Sequence, residues 1–250
     1  MRRFGEIVFA LCQRELLRFL RERTQIYSAL ARPLLWLVLL GSGMQGAFQD
    51  ETGTDYMRFL LPGVMTMSIL FGGLLSGVST VWDREFGFMR EMLVAPISAF
   101  SIVGGKLLAG ALVTSLQAFI TLAFAPWVGV QLPWIAFALA LPYIFLTSIG
   151  VVAMALCIAA RMRTLEGFGS LANFVALPLF FLSASMYPLR HVPSWMRPLV
   201  ELNPMTYAVD ALRQIVGGQG HWSLAADTAV LTLFALSLSA AAAFLFRRES

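Results

Sequence analysis

Charge is what this sequence has least of. Asp, Glu, Lys and Arg make up 13% of its 250 residues against 58% hydrophobic ones, and the mean hydropathy is +0.76. A soluble domain keeps about a quarter of its residues charged, so a soluble chain is excluded. Cysteine and histidine are scarce too. Cys12 falls in a basic amphipathic segment and Cys157 in an apolar run; neither has a partner or a metal-ligand cluster near it in sequence, and both read as reduced packing residues. His191 and His221 stand in one loop without cysteines or carboxylate pairs, which argues against a metal site. No stretch alternates polar and apolar residues over ten positions, which excludes a barrel. Instead there are uncharged runs near the roughly 20 residues that a helix needs to cross hydrocarbon. The fold class is an all-α integral membrane protein. The net charge of +4 does not point to nucleic acid, because in such a chain its distribution over the loops matters more.

Catalytic machinery is missing as well. There is no phosphate-binding Walker A loop: Gly105-Lys106 is followed by Leu107, and position 100, where the pattern needs its first glycine, is Phe. The chain therefore has no ATP site of its own. The central parts of the second to sixth apolar runs hold no Asp, Glu, Lys, Arg or His, the groups with which a proton-coupled carrier works at mid-membrane. Nor do they hold a nucleophile with its base or paired aspartates, as an intramembrane protease would need. The remaining intramembrane polar residues are Gln45, Gln117, Thr147, Asn173, Ser183 and Ser185. They are candidates for lining a translocation path, although hydrogen bonding between helices is the commoner use of such groups.

What is present has a clear order. Residues 1–26 are rich in arginine and form an interfacial segment rather than a signal peptide. On a helix, Phe9, Cys12, Leu16, Phe19 and Leu20 share one face and Arg14, Arg18 and Arg21 the other, as a helix lying on anionic membrane lipids requires. Six spans follow, at about 27–48, 59–81, 107–130, 134–160, 168–187 and 228–246. Gly73 and Gly77 make a GxxxG pair in the second, a packing face for another helix. Pro178 predicts a kink in the fifth. With six spans, fourteen of the 18 Lys and Arg residues fall on the side of the termini, which places both termini in the cytoplasm.

Two interruptions stand out. Residues 81–106 are too polar for lipid, yet Phe86, Met89 and Leu93 recur at the spacing of one helical face. The spacing predicts a short amphipathic helix ending near Ala95, before Pro96, with a turn over Ile97, Ser98 and Gly104-Gly105. Such a stripe suits a helix lying in headgroups and equally one docked on a cytoplasmic partner. Residues 188–227 predict two short outer helices, 195–202 and a second one capped by Asn203, opened by Pro204 and stopped by Gly217. Tyr207, Ala211 and Ile215 face one way on it, with Asp210 and Arg213 elsewhere.

The segment DREFGFMREMLVAPISAFSIVGGK, residues 83–106, closely resembles the loop after the second span of ABC-2 type transporter permeases, drug and lipo-oligosaccharide exporters included. PLFFLSASMYPLRHVPSWMRPLVELNPMTYAVDALR, residues 178–213, is similar to that family's fifth span and external re-entrant helices. One departure lies within it: many relatives have a glycine before the outer-loop aromatic and proline, where this chain has SASMYP, residues 183–188. The likeness covers nearly the whole chain as one transmembrane domain. It implies a half-transporter in a bacterial cytoplasmic membrane, pairing with a second permease copy and binding an ABC ATPase that carries ATP and Mg. Arg84, Glu85, Phe86, Met89, Arg90, Glu91 and Leu93 would then form the coupling helix on that ATPase, and Asn203, Pro204, Tyr207 and Asp210 an external gate. A different class stays open, a membrane scaffold that recruits a cytoplasmic partner without transport.

Overall fold

The computed structural model describes residues 2–21, 23–52, 56–85, 99–162, 164–218 and 220–247. Among them every regular element is a helix. The longer ones are α1 (Arg2–Arg21), α2 (Arg23–Thr52), α3 (Tyr56–Glu85), α4 (Ala99–Ala123), α5 (Trp134–Arg161), α6 (Leu165–Phe181), α7 (Arg197–Leu202), α8 (Pro204–Gly217) and α9 (Leu224–Arg247). Short 3-10 turns lie at Ala125–Val128 and Leu189–His191.

Helix α3 is the hub, packing against α2, α4, α5, α6 and α8. It can take so many neighbours because its glycines remove the side chains that would hold them off. A Cβ on Gly73 would come within 2.6 Å of Val151 Cγ1 on α5, and one on Gly77 within 2.6 Å of Phe168 Cζ on α6. The glycine pair is thus a packing face shared between two helices. Around it Leu61, Met65, Ile69 and Leu70 of α3 are fully buried with Ile144, Val151 and Phe168, forming the main core. A second core lies where α4, α5 and α9 meet, with Ile102, Val152, Leu156 and Phe246.

Four helices are long and apolar enough to cross a membrane: Tyr56–Glu85, Phe100–Val128, Trp134–Arg161 and Leu224–Arg247. The other two expected spans are shorter apolar stretches, Ala31–Met44 and Leu165–Phe181. Arg32 and Pro33 cut into the first. The second has 17 residues, about 26 Å at 1.5 Å per residue, just short of the roughly 30 Å of hydrocarbon.

Two local expectations need correction. Gly104-Gly105 is not a turn but lies inside α4, which begins at Ala99. Two helical glycines cost about 2 kcal/mol relative to alanine, and the buried Ile102 and Val103 beside them outweigh that. The polar interruption read at 81–106 is helical at both ends, since α3 continues to Glu85. Between the third and fourth expected spans the chain turns over residues 124–133. Helix α4 stops at Ala123, and Gly129, at φ 86°, closes the 3-10 turn with its N–H on the carbonyls of Ala125 and Pro126. Trp127 and Trp134 flank that hairpin, both strongly exposed, as aromatic side chains at a membrane surface are.

The packing at Gly73 gives a first test. Gly73→Val drives a methyl into Val151 on a rigid helix face and is expected to destabilise the detergent-solubilised protein by about 1–3 kcal/mol. Gly5→Ala, with open space around it, leaves the apparent melting temperature unchanged. Equal behaviour of the two variants in a thermal shift assay would contradict this packing.

Candidate functional site

At the C-terminal end of α3 two consecutive charges point to different neighbours. Arg84 Nη1 donates to the carbonyls of Ala159, Ala160 and Met162 at 3.1, 2.9 and 3.0 Å. These belong to the last turn of α5 and its cap, where carbonyls lack helical partners and the helix dipole favours a cation. Asp83 accepts from the buried Lys106 Nζ of α4 and lies 3.5 Å from Arg14 Nη2 of α1. One residue pair therefore ties α3 to α1, α4 and α5. Sequence reading gave Arg84 a place on the rim of a partner's groove; its guanidinium is turned inward, while Glu85 is exposed. Phe86, Met89, Arg90, Glu91 and Leu93 lie outside the described residues.

The other end of the bundle, around the start of α3, is held by a polar network centred on α8. Asn203 caps the helix, its Oδ1 accepting from Met205 N at 3.0 Å, and its Nδ2 donates to Leu179 O of α6 at 2.7 Å. Pro204 takes the first helical position; Gly217 ends the helix, and Gly218 supplies the left-handed cap one residue later than expected. Tyr207 Oη donates to Glu201 O at 2.8 Å and its ring packs on Trp222, 4.8 Å between centroids. Asp210 is buried, accepting from the backbone N–H groups of His221 and Trp222 and from Gln214 Nε2. Gln214 Nε2 also reaches Asp227 Oδ2 on α9 at 2.9 Å. Three of the four gate candidates therefore act as joints among α6, α7, α8 and the start of α9.

Residues not singled out from sequence complete this end. Arg213 Nη2 donates to Ala184 O at 3.1 Å, and its guanidinium lies 3.9 Å from the centroid of the Phe59 ring on α3. Burial pulls its pKa down to about 10, partly opposed by the charge of Asp210, so it remains a cation at neutral pH. Arg58 Nε donates to Val216 O at 2.9 Å. The sequence signal for these was an arginine three residues beyond an aspartate in an otherwise apolar helix. Ala184 sits in the SASMYP departure. Its φ of 53° makes it left-handed, the conformation that glycine adopts without penalty. The turn is pinned from several sides: Ser183 Oγ donates to Phe180 O, Thr206 Oγ1 to Leu182 O, and Gly63 of α3 leaves room for Ser185.

The path candidates do not converge within one chain. Gln117 is buried between α4 and α3 beside Gly72. Thr147 is buried in α5 and donates to Tyr143 O at 2.7 Å. Asn173 is exposed on α6, on the same outward face as Phe174, Leu177 and Phe181. The side chain of Gln45 lies outside the described residues.

The chain that folds into this helical bundle matches the model of the ABC-2 type transporter over residues 6–216. The chain belongs to this family. Among its relatives, a putative transport permease, ycf38, of Cyanophora paradoxa is 29% identical over 239 residues, covering 94% of this chain and 82% of that protein. The inner membrane transport permease YadH of Escherichia coli strain K12 is 26% identical, covering 88% of this chain and 87% of that one. The daunorubicin resistance ABC transporter permease protein DrrB1 of Streptomyces coeruleorubidus is 27% identical, covering 84% and 75%. This ABC-2 chain is thus a multi-pass membrane protein and a transmembrane subunit of a transporter; the family implies an ABC ATPase as its partner.

The strained turn yields the second test. Ala184→Gly removes a left-handed penalty of about 1–2 kcal/mol, offset in part by glycine's greater freedom in the unfolded chain, and should raise the apparent melting temperature by about 2 °C. Ala184→Val at the same position lowers it. A drop with glycine would show that the turn does not need this backbone conformation.

Proposed function

We propose that this chain is the permease subunit of an ATP-driven exporter in a bacterial cytoplasmic membrane, moving an amphipathic, drug-like, lipid-linked or glycan substrate outward. Two copies pair, and each rests on an ABC ATPase that binds ATP and Mg and hydrolyses the nucleotide. The chain itself is no enzyme. In this reading α2 and α6 also cross the membrane, giving six spans with both termini in the cytoplasm. Their exposed apolar faces, with Leu35, Val38 and Leu39 on α2 and Phe174, Leu177 and Phe181 on α6, suit a second copy, and Asn173 then faces the space between the two.

The observation that carries the reading is the clamp at Asp83 and Arg84. It stands immediately before residues 86–98, where Phe86, Met89 and Leu93 supply the apolar stripe and Glu85, Arg90 and Glu91 the rim of a coupling helix. Movement of that segment by the ATPase would reach α1, α4 and α5 at once, through contacts of 2.9 to 3.5 Å. A switch between two arrangements of the dimer needs such a short mechanical path. The outer network at Asn203, Pro204, Tyr207 and Asp210 would close the exit.

The reading is tested by purifying the chain with its ATPase and measuring substrate-stimulated hydrolysis. Phe86→Asp combined with Met89→Asp should leave insertion intact and lower ATPase capture and transport by about tenfold or more, as loss of a central apolar anchor does. Full capture and transport in the double variant would sink the coupling assignment. A wild-type chain that binds a cytoplasmic partner without any substrate-dependent hydrolysis would favour the scaffold.

A further inference from the structure

A cavity of about 360 Å³ opens between α1, α3 and α4. Its size is at the small end of the roughly 300–1,000 Å³ range of ligand pockets. The lining runs from Gly72 to Trp82 on α3 and from Lys106 to Gln117 on α4, about 15 Å along each helix. The charges at one end are already met. Lys106 pairs with Asp83, which also lies 3.5 Å from Arg14, and the guanidinium of Arg18 stacks over Trp82, 5.7 Å from the ring centroid. A ligand therefore needs no charge of its own here.

The opposite end holds a group that is not met. Gln117 is only 6% exposed and lines the cavity, and its side-chain carboxamide has no hydrogen-bond partner among the described residues. Gly72 makes the room for it, since a Cβ there would collide with Gln117 Oε1. A carboxamide carries two donors and an acceptor oxygen, and leaving them unmet in a buried place is costly. Ser76 and Ser79, further along the lining, donate to the carbonyls of Gly73 and Ser76 and keep lone pairs with which to accept. The wall beside them is apolar, with Leu75, Val78 and Val113. Water alone would satisfy Gln117 but would wet that wall. A molecule with an apolar body and an uncharged head that both donates and accepts answers to both.

We propose that this cavity binds an uncharged single-chain amphiphile whose head both donates and accepts hydrogen bonds, as that of a monoacylglycerol does. The head rests on the carboxamide of Gln117 and the chain lies along Leu75, Val78 and Val113. Leu75 and Trp82 are about half exposed, which gives a molecule dissolved in the membrane a way in from the side of the bundle. The inference goes beyond the exporter reading and does not rest on it, because the site lies within one chain and needs neither a second copy nor an ATPase. Binding is measured on the isolated chain, so either reading can fail without the other.

The experiment is equilibrium binding of tritiated 1-decanoylglycerol to the purified full chain in phosphatidylcholine nanodiscs, corrected with empty nanodiscs. Saturable binding of about one molecule per chain is expected. Unlabelled methyl decanoate, which has no donor, and decyl phosphate, which is charged, should each compete about tenfold less well than unlabelled 1-decanoylglycerol. Gln117→Leu keeps the volume and removes the carboxamide; it should weaken binding about tenfold without lowering the apparent melting temperature of the ligand-free chain. Val113→Phe fills the cavity and should abolish saturable binding, with Ser79→Phe in its place if that variant does not fold. Uptake that never saturates, as a water-filled cavity would give, overturns the proposal. So does undiminished binding in Gln117→Leu or with the cavity filled. Competition by methyl decanoate or decyl phosphate equal to that of 1-decanoylglycerol also overturns it, assigning the site to the acyl chain alone or to an anion.

Discussion

The adjacency of Asp83 and Arg84 is the constraint on which one end of this helical bundle rests. Two side chains one residue apart on a helix project in different directions, so the pair reaches two sets of neighbours. Arg84 closes the exposed carbonyls of α5, and Asp83 holds a lysine from α4 and an arginine from α1. Each contact also answers a cost: helix-end carbonyls need donors, and Lys106 could not remain buried as a cation without a carboxylate. Removing Asp83 would therefore do more than delete a bond. It would take from a buried ammonium the carboxylate it is paired with.

The opposite end, around α7 and α8, obeys a different rule. There the anchors are backbone groups met by buried polar side chains: Asn203 on Leu179, Arg213 on Ala184, Arg58 on Val216, and Asp210 on the N–H groups at 221 and 222. Loops between helices expose backbone donors and acceptors that no ladder satisfies, and where they are buried a side chain must meet them. Filling those positions with Asn, Asp and Arg lets α7 and α8 pack closely against α3 and α6. The left-handed Ala184 follows from this arrangement, because its carbonyl must point at Arg213 while the next residue passes over Gly63.

What could be read from sequence divides along the range of the interactions. The apolar runs, the Asn203-Pro204 helix start and the Gly73/Gly77 face are local patterns, and a local pattern survives as long as nothing distant competes. Gly104-Gly105 failed for that reason: the local turn signal was overridden by α1 and α5 packing around Ile102, Val103 and Lys106. The bonds of Arg84 to α5 were not legible, since its partners are carbonyls 75 to 78 positions away, and backbone carbonyls carry no sequence signature. Asp227 was placed just before a span rather than inside the network, since its link to Asp210 passes through Gln214 on another helix.

The two halves meet in α3. Its 30 residues span about 45 Å, carrying Arg58 and Phe59 at the polar network and Asp83 and Arg84 at the charged clamp. It is also the most enclosed of the long apolar helices, with 72% of its most apolar window buried, so it cannot bend freely between these ends. A tightly packed core has discrete arrangements rather than a continuum. Any tilt of α3 that relaxes Asp83 from Lys106 must therefore also shift Phe59 beneath Arg213 and Gly63 beneath the Ala184 turn. This single helix makes the two ends of the bundle answer to each other without a chain of intermediaries.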